Sequence, residues 1–359
     1  MAPPPAPAAP AAGPKITFGG LVDAYYMYLF NPADGANSLV GAPNPPRNFD
    51  VNTNSATLAL SALTLNAAMD PVAFQLDIGY GSTGSLINGA NGVVIPGPMT
   101  STTMTPGTGG SFIVLQAYGT ITLIPNLTVD FGKFYTTAGA EVVPANKNWL
   151  YSRSFLFWNI PLLHTGARAN FKVSDQLSLQ ASLVNGWNDD PDVNAWKTFG
   201  ASATFTASPM VAITATTYIG KEAPQMAAPE TPGDVRILAD LVAALTLSDK
   251  LGVNVNFDFV KAPTNVSADY LVGVSAMARL QIIDNLSVAG RFEFVRGHND
   301  VASANSDLIE GTVNLGIAVG KNFELRPEFR VDHLGQSQMF SQTGDANAIT
   351  GTLAALTYF

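Results

Sequence analysis

Nucleophiles, general bases and metal ligands are scarce in this chain. It has three histidines, His164, His298 and His333, and no cysteine. Without Cys, and without HxxxH or HExxH spacing, a transition-metal site has little to be built from. A lipase-like pair would need a Ser beside a His on one face, but His164 is followed by Thr165 and Gly166, with no Ser nearby on its own parity. The glycine pair Gly19-Gly20 opens no GxxxxGKS/T phosphate loop. The run Asn188-Asp189-Asp190-Pro191-Asp192 offers oxygen donors of the kind Ca²⁺ takes, and a solvated loop explains the same composition more simply. The expectation is a protein that is not an enzyme and that holds no cofactor and no metal.

The informative residues are charged, and they obey a period. In each well-formed segment the Asp, Glu, Lys and Arg residues share one parity, while the opposite parity is almost purely apolar. Basic members are Arg168, Lys172, Arg236, Arg279, Arg291, Arg326 and Arg330. Acidic members are Asp23, Asp77, Asp130, Asp240, Asp258, Glu293, Glu310, Glu324 and Glu328. Two readings stay open. Arginines on neighbouring strands form a one-sided basic ladder facing Glu141 and Asp130, creating a transverse field. Alternatively, Arg291 with Glu293, and Glu324, Arg326, Glu328 and Arg330, pair across strands and stiffen the wall.

The elements that position these charges are strands. From Ile16 to Phe30, one parity reads Ile16, Phe18, Gly20, Val22, Ala24, Tyr26, Tyr28, Phe30, and the other holds Thr17, Gly19, Asp23 and Tyr25. This alternation marks a strand with one apolar face. It recurs to the end of the chain, where Phe323, Leu325, Pro327, Phe329 and Val331 oppose Glu324, Arg326, Glu328, Arg330 and Asp332. Ile237–Leu247 has helical propensity, but its polar residues Arg236, Asp240 and Thr246 share a parity, so a strand is expected there too. Connections alternate short and long. Asp-, Asn-, Pro- and Gly-rich turns fall at Ala68–Pro71, Ile124–Asn126, Val173–Gln176, Ala207–Met210, Ser248–Lys250, Ile282–Asn285 and Gly320–Asn322. Long loops lie near 31–53, 81–111, 135–162, 187–195, 220–234, 261–268, 296–306 and 333–346. About sixteen strands result, an even number as in single-chain bacterial outer-membrane barrels. In the second strand the apolar parity shifts between Leu60 and Leu63, as at a bulge.

Composition says what solvent such strands meet. The chain is 47% hydrophobic but only 13% charged, against about a quarter charged in soluble domains. No apolar run approaches the roughly 18 residues a membrane helix needs. Many strands sustain about ten residues, enough to cross a bilayer when tilted, and backbone hydrogen bonds in lipid are satisfied only if the sheet closes. The expected fold is all-β: a transmembrane antiparallel up-and-down barrel over 15–359 with short periplasmic turns and long extracellular loops. Residues 1–14 form a Pro/Ala-rich linker. A net charge of −9 with no basic face excludes nucleic acid as a partner. No signal peptide precedes the barrel, so a mature or re-started form of an exported chain is expected. Aromatics such as Tyr26, Tyr28, Tyr80, Phe257, Phe259, Phe292 and Phe294 cluster toward the long-loop ends, as an interfacial girdle would.

Between residues 132 and 188 a family likeness emerges. Gly132-Lys133-Phe134-Tyr135-Thr136 is followed by Gly139-Ala140-Glu141, Tyr151-Ser152-Arg153-Ser154, His164-Thr165-Gly166 and Asn185-Gly186-Trp187-Asn188. In this order the series resembles the putative β-barrel porin-2, OmpL-like family of bacterial outer-membrane proteins. The resemblance implies an outer-membrane channel of Gram-negative type, leaves the solute open and assigns no catalytic residue.

Taken together, the expected function is a water-filled porin for passive diffusion of small hydrophilic solutes. Segment 134–162, rich in aromatics (Trp149, Tyr151, Phe155, Phe157, Trp158), is the candidate pore-constricting loop, since such a segment is costly in water. The candidate pore-lining and selectivity residues are Asp130, Glu141, Arg153, Arg168, Arg236, Arg279, Arg291, Glu293, Arg326 and Arg330. Alternatives are a substrate-specific channel for sugars or carboxylates that uses the aromatic loop as a sliding surface, and a structural or adhesive barrel with a plugged lumen. Expected partners are outer-membrane lipid and lipopolysaccharide, small hydrophilic solutes, the barrel-insertion machinery through the terminal Phe359, and further copies of the chain in a homotrimer.

Overall fold

The computed structural model describes residues 13–30, 47, 49–89, 111–192, 194–222, 234–261, 270–299, 304–335 and 347–359. Most of the Pro/Ala linker and the middles of several long loops lie outside the described residues. Sixteen strands follow one another in chain order, each hydrogen-bonded to the next, and β1 (Lys15–Leu29) pairs with β16 (Asn347–Tyr358) to close the barrel. The others are β2 (Ser55–Met69), β3 (Val72–Gly81), β4 (Ser111–Ile124), β5 (Leu127–Tyr135), β6 (Leu163–Lys172), β7 (Leu177–Val184), β8 (Thr198–Ser208) and β9 (Val211–Glu222). Then come β10 (Asp234–Thr246), β11 (Leu251–Lys261), β12 (Tyr270–Ile283), β13 (Leu286–Asn299), β14 (Ala304–Ala318) and β15 (Phe323–Leu334). All pairs are antiparallel, and the segment from Ile237 to Thr246 lies in β10, with Leu247 just past its end. Two helices, α1 (Ser82–Gly89) and α2 (Phe155–Trp158), sit in long loops, and among the described residues no helix can cross a membrane.

The alternation seen in the sequence becomes two surfaces. On β1, Leu21, Asp23, Tyr25 and Met27 are buried inside, while Phe18, Val22, Tyr26 and Tyr28 are exposed outside. An apolar exterior is what lipid demands, and closure leaves no unpaired strand edge. Tyr26, Tyr28 and Tyr80 lie exposed toward the long-loop ends, forming one girdle, while Phe257 and Phe292 are exposed nearer mid-strand. Phe18, Phe205 and Phe359 form its counterpart toward the turns. The parity break in β2 is a bulge at Ala59: Asp23 pairs with Leu60 and Ala24 with Leu58, so Ala59 and Leu60 are both buried.

Three of the short turns use one device, a serine that accepts backbone N–H groups in place of a strand partner. Ser174 accepts from Gln176 and Leu177, Ser208 from Met210, and Ser248 from Lys250 and Leu251. In β5, Gly132 adopts φ +128°, and a Cβ there would lie 2.3 Å from the Ala117 carbonyl oxygen. Only glycine fits at this point, just before the chain leaves the wall.

Candidate functional site in the barrel lumen

After β5 the chain turns inward. Residues 136–162 cross the lumen, and Leu150, Tyr151, Phe155, Leu156, Phe157 and Trp158 are buried there. An irregular loop has backbone groups that no neighbouring strand satisfies, and inside a barrel they must find other partners. Charged side chains of the wall supply them. Glu328 accepts from the N–H of Tyr151 (2.8 Å) and Ser152 (3.2 Å), and Glu293 from Phe155 (2.7 Å) and Leu156 (2.8 Å). Arg326 donates to the Ala145 carbonyl (2.8 Å), Arg291 to the Ser152 carbonyl (2.8 Å), and Arg330 to the Arg153 carbonyl (2.7 Å). Hydrogen bonds with one ionised partner are roughly twice as strong as neutral ones. Strands β13 and β15 therefore hold the loop by its main chain.

A continuous chain of ion pairs, three guanidiniums alternating with four carboxylates, ties the wall to the loop. Asp50 meets Arg47 at 2.6 Å, Arg47 meets Asp332 at 3.7 Å, and Asp332 meets Arg330 at 2.6 Å. Arg330 meets Glu310 at 3.7 Å, Glu310 meets Arg291 at 2.8 Å, and Arg291 meets Glu141 at 2.9 Å. The ladder begins in the β1–β2 loop, crosses β15, β14 and β13, and ends on the β5–β6 loop. Each carboxylate of the chain meets at least one guanidinium, which is the condition under which such buried charges are tolerated.

The opposite wall, from β5 to β9, is built differently. Toward the turns its inward groups are mostly Thr, Ser, Asn and Gln, which bond to one another, with the Asp130–Arg168 pair above them. Gln180 donates to Asn170 (2.7 Å), Ser202 contacts Thr216 (3.1 Å), and Thr204 contacts Thr214 (3.0 Å). The loop meets this wall through neutral groups: Thr137 contacts the Tyr218 hydroxyl at 3.2 Å, and Thr216 donates to the Thr137 carbonyl at 3.4 Å. Below that seam, toward the short turns, lies a cavity of about 460 Å³ bordered by Asn170, Gln180, Ser202, Thr204, Thr214 and Thr137. A smaller one of about 170 Å³ lies between Trp149 and the turn ends of β10 to β12.

The family model described as putative beta-barrel porin-2, OmpL-like, matches residues 15–359. The chain belongs to this family. Solved outer-membrane proteins share the barrel. OmpF of Salmonella typhi, in complex with daunomycin, aligns at 12% identity and TM-score 0.65 over 97% of this chain and 98% of that one. The anion-selective porin from Comamonas acidovorans aligns at 10% and 0.65 over 96% and 100%, and the outer membrane channel DcaP of Acinetobacter baumannii at 15% and 0.63 over 97% and 98%. At such identities the likeness shows the fold. No curated protein matches the sequence significantly. Family and architecture together make the chain an outer-membrane porin.

Within this porin, the sequence-predicted site residues fall into separate environments. Arg291, Glu293, Arg326, Arg330 and Glu141 belong to the loop clamp. Arg153 lies within the loop, donating to the Tyr151 carbonyl (2.7 Å) and sitting over the Phe49 ring at 4.9 Å. Asp130 and Arg168 form a closed pair at 2.7 Å on β5 and β6, and Arg168 also stacks on Phe134. Arg236 lies over the Trp187 ring at 3.9 Å. Arg279 stands apart at the turn end of β12, bonded to Gln281 at 3.2 Å.

The basic-ladder expectation needs correction, and the pairing expectation holds for Arg291 with Glu310 across strands and for Arg326 with Glu324 along one strand, but not for Glu293. No basic ladder faces Glu141 and Asp130 across open space, because Glu141 is bonded to Arg291 and Asp130 to Arg168. Nor does Glu293 pair with Arg291. Arg291 reaches across to Glu310 on β14, and Glu293 is taken by loop N–H groups. The loop aromatics Tyr151, Phe155, Phe157 and Trp158 are packed away rather than lining a passage.

Arg47, Phe49 and Asp50 escaped sequence reading entirely. They sit at the tail of a long loop with no periodic signal, yet Arg47 and Asp50 join the ladder and Phe49 packs on Phe157. The acidic run 188–192 does not converge on one point. Asp190 pairs with Lys133 and Asp192 with Lys197, while burial, together with Glu222 and Asp192, pushes the Asp189 carboxyl up to about 7. Among the described residues no group of His, Asp or Glu is arranged to hold a metal.

Proposed function

We propose that this porin passes small hydrophilic solutes by passive diffusion along its β5–β9 wall, with loop 136–162 narrowing the lumen from the other side. The carrying observation is the asymmetry of the loop's attachment. On β13 and β15 it is held by charge-assisted bonds to carboxylates and guanidiniums. On β9 it meets only hydroxyls at 3.2–3.5 Å. A lumen widens where its contents are held least, so the Thr137–Tyr218 seam is where the passage opens. Size selects at this seam, and the lumen performs no covalent chemistry.

Export to the outer membrane, contact with lipid and lipopolysaccharide along the apolar belt, insertion guided by Phe359 and assembly as a homotrimer complete the reading. The in-vitro folded OmpT of Vibrio cholerae, similar at 12% identity, is a trimer form, and three copies of this chain are proposed to associate likewise. Reconstitution into planar bilayers tests the channel reading. Stepwise, nearly ohmic currents are expected, rising when Tyr218→Ala removes the ring at the seam. Silent membranes containing correctly folded barrel would refute it.

A further inference from the structure

We infer that the hydroxyl- and amide-rich wall below the seam, whose one charged lining residue is Lys172 at its mouth, is a binding track for uncharged polyhydroxylated solutes, of the chemistry of small sugars and polyols. The inference rests on the channel reading and adds a solute class to it. Its ground is what the cavity of about 460 Å³ displays: hydroxyls of Ser202, Thr204 and Thr214, amides of Asn170 and Gln180, and Thr137 from the loop. That volume lies within the roughly 300–1,000 Å³ usual for small-molecule sites.

Two features give the track its preference. First, its polar groups already bond to one another as neutral pairs: Thr204 with Thr214 at 3.0 Å, and Gln180 with Asn170 at 2.7 Å. A hydroxyl carries one donor and two acceptor positions, and an amide carries two donors and an acceptor. A solute hydroxyl can therefore replace one partner while accepting from or donating to the next, so a polyol exchanges its water for wall groups of the same kind. Second, the nearest charges offer a passing ion no free counter-charge. Asp130 is occupied by Arg168 (2.7 Å), Thr120 (2.6 Å) and Asn170 (3.0 Å). Lys172, the charged residue of the lining, sits at the solvent-exposed mouth, where Asp175 at 2.7 Å offsets it. A charged solute entering here loses hydration without compensation, and a neutral one does not.

Liposome swelling separates the cases. Vesicles carrying the porin are to be challenged with glucose and with gluconate, which differ little in size, while KCl conductance is recorded in parallel. The expected result is glucose entry several-fold faster than gluconate. In Gln180→Leu/Thr204→Val, the ratio of glucose entry to KCl conductance should fall several-fold, and Thr204→Ser, which keeps the hydroxyl, should keep the wild-type ratio. Equal or faster gluconate entry, or a double variant that slows glucose and KCl alike, would overturn the track while leaving the channel reading in place. Loss of all KCl conductance in the wild type would overturn both.

Discussion

The two walls of this barrel use polar residues in opposite ways. From β13 to β15 the inward face carries Arg291, Glu293, Glu310, Arg326, Glu328, Arg330 and Asp332, all buried and all engaged with the loop, with one another or with a neighbouring charge on the wall. From β6 to β9 it carries mostly hydroxyls and amides that remain partly open to the lumen. Charge in a water-filled pore is ordinarily read as selectivity. Here it mostly builds structure, because an irregular loop inside a barrel needs strong partners for its main chain, and ionised groups are the strongest available.

The contrast is sharpest at Arg291. Arg291→Ala leaves Glu141 without a cation and Glu310 with Arg330 alone at 3.7 Å, and breaking a buried pair costs about 3–5 kcal/mol. The heat-modifiability transition on gels should shift down, and single-channel currents should become larger and noisier. Glu328→Gln is the next test. It removes the charge behind two N–H bonds, each of a kind worth about 1.5–3 kcal/mol to charged groups. A smaller shift of the same transition is expected, with more frequent flicker.

On the opposite wall the effects should be milder. Tyr218→Phe deletes a neutral contact worth about 1 kcal/mol, so conductance should rise modestly while the gel transition stays put. If Tyr218→Phe loosens the barrel as much as Glu328→Gln does, the two walls are not different in kind.

A pH test probes the loop between β7 and β8. With its carboxyl held near 7 in the folded protein and ordinarily near 3.8, Asp189 binds a proton more readily folded than unfolded. Its contribution to stability is therefore complete at low pH and is lost as pH rises through about 7. Protection factors of the Asn185 and Asn188 amides, which donate to the Thr165 and Leu163 carbonyls, should fall as pH rises from about 3.8 to about 7, and Asp189→Asn should remove most of that dependence.

Much of this fold was legible because a barrel writes its geometry into a period of two. Phe323 to Asp332 alternates without a break, and so its lipid and lumen faces could be assigned residue by residue. The bulge at Ala59 was legible as a slip in that period, displaced slightly from its true place. Short Asp-, Asn-, Pro- and Gly-rich turns marked the short-loop end, while the serine acceptors at Ser174 and Ser248 emerged only in the structure. What a period cannot encode is the path of a loop in space. Arg291 and Glu293 share a face two residues apart, yet one serves Glu310 and the other the N–H groups of Phe155 and Leu156. Arg47 and Asp50 had no strand to place them, and only the closed barrel brings them beside Asp332.

The central claim is that most of the lumen's charges serve to hold its contents and leave the passage uncharged. The reversal potential of the wild-type channel under a KCl gradient measures this directly. A value near zero, unmoved by swapping which side carries the higher salt apart from sign, is what the account predicts. A potential strongly favouring either K⁺ or Cl⁻ would contradict it, because the wall charges would then be facing the permeating ions rather than the loop.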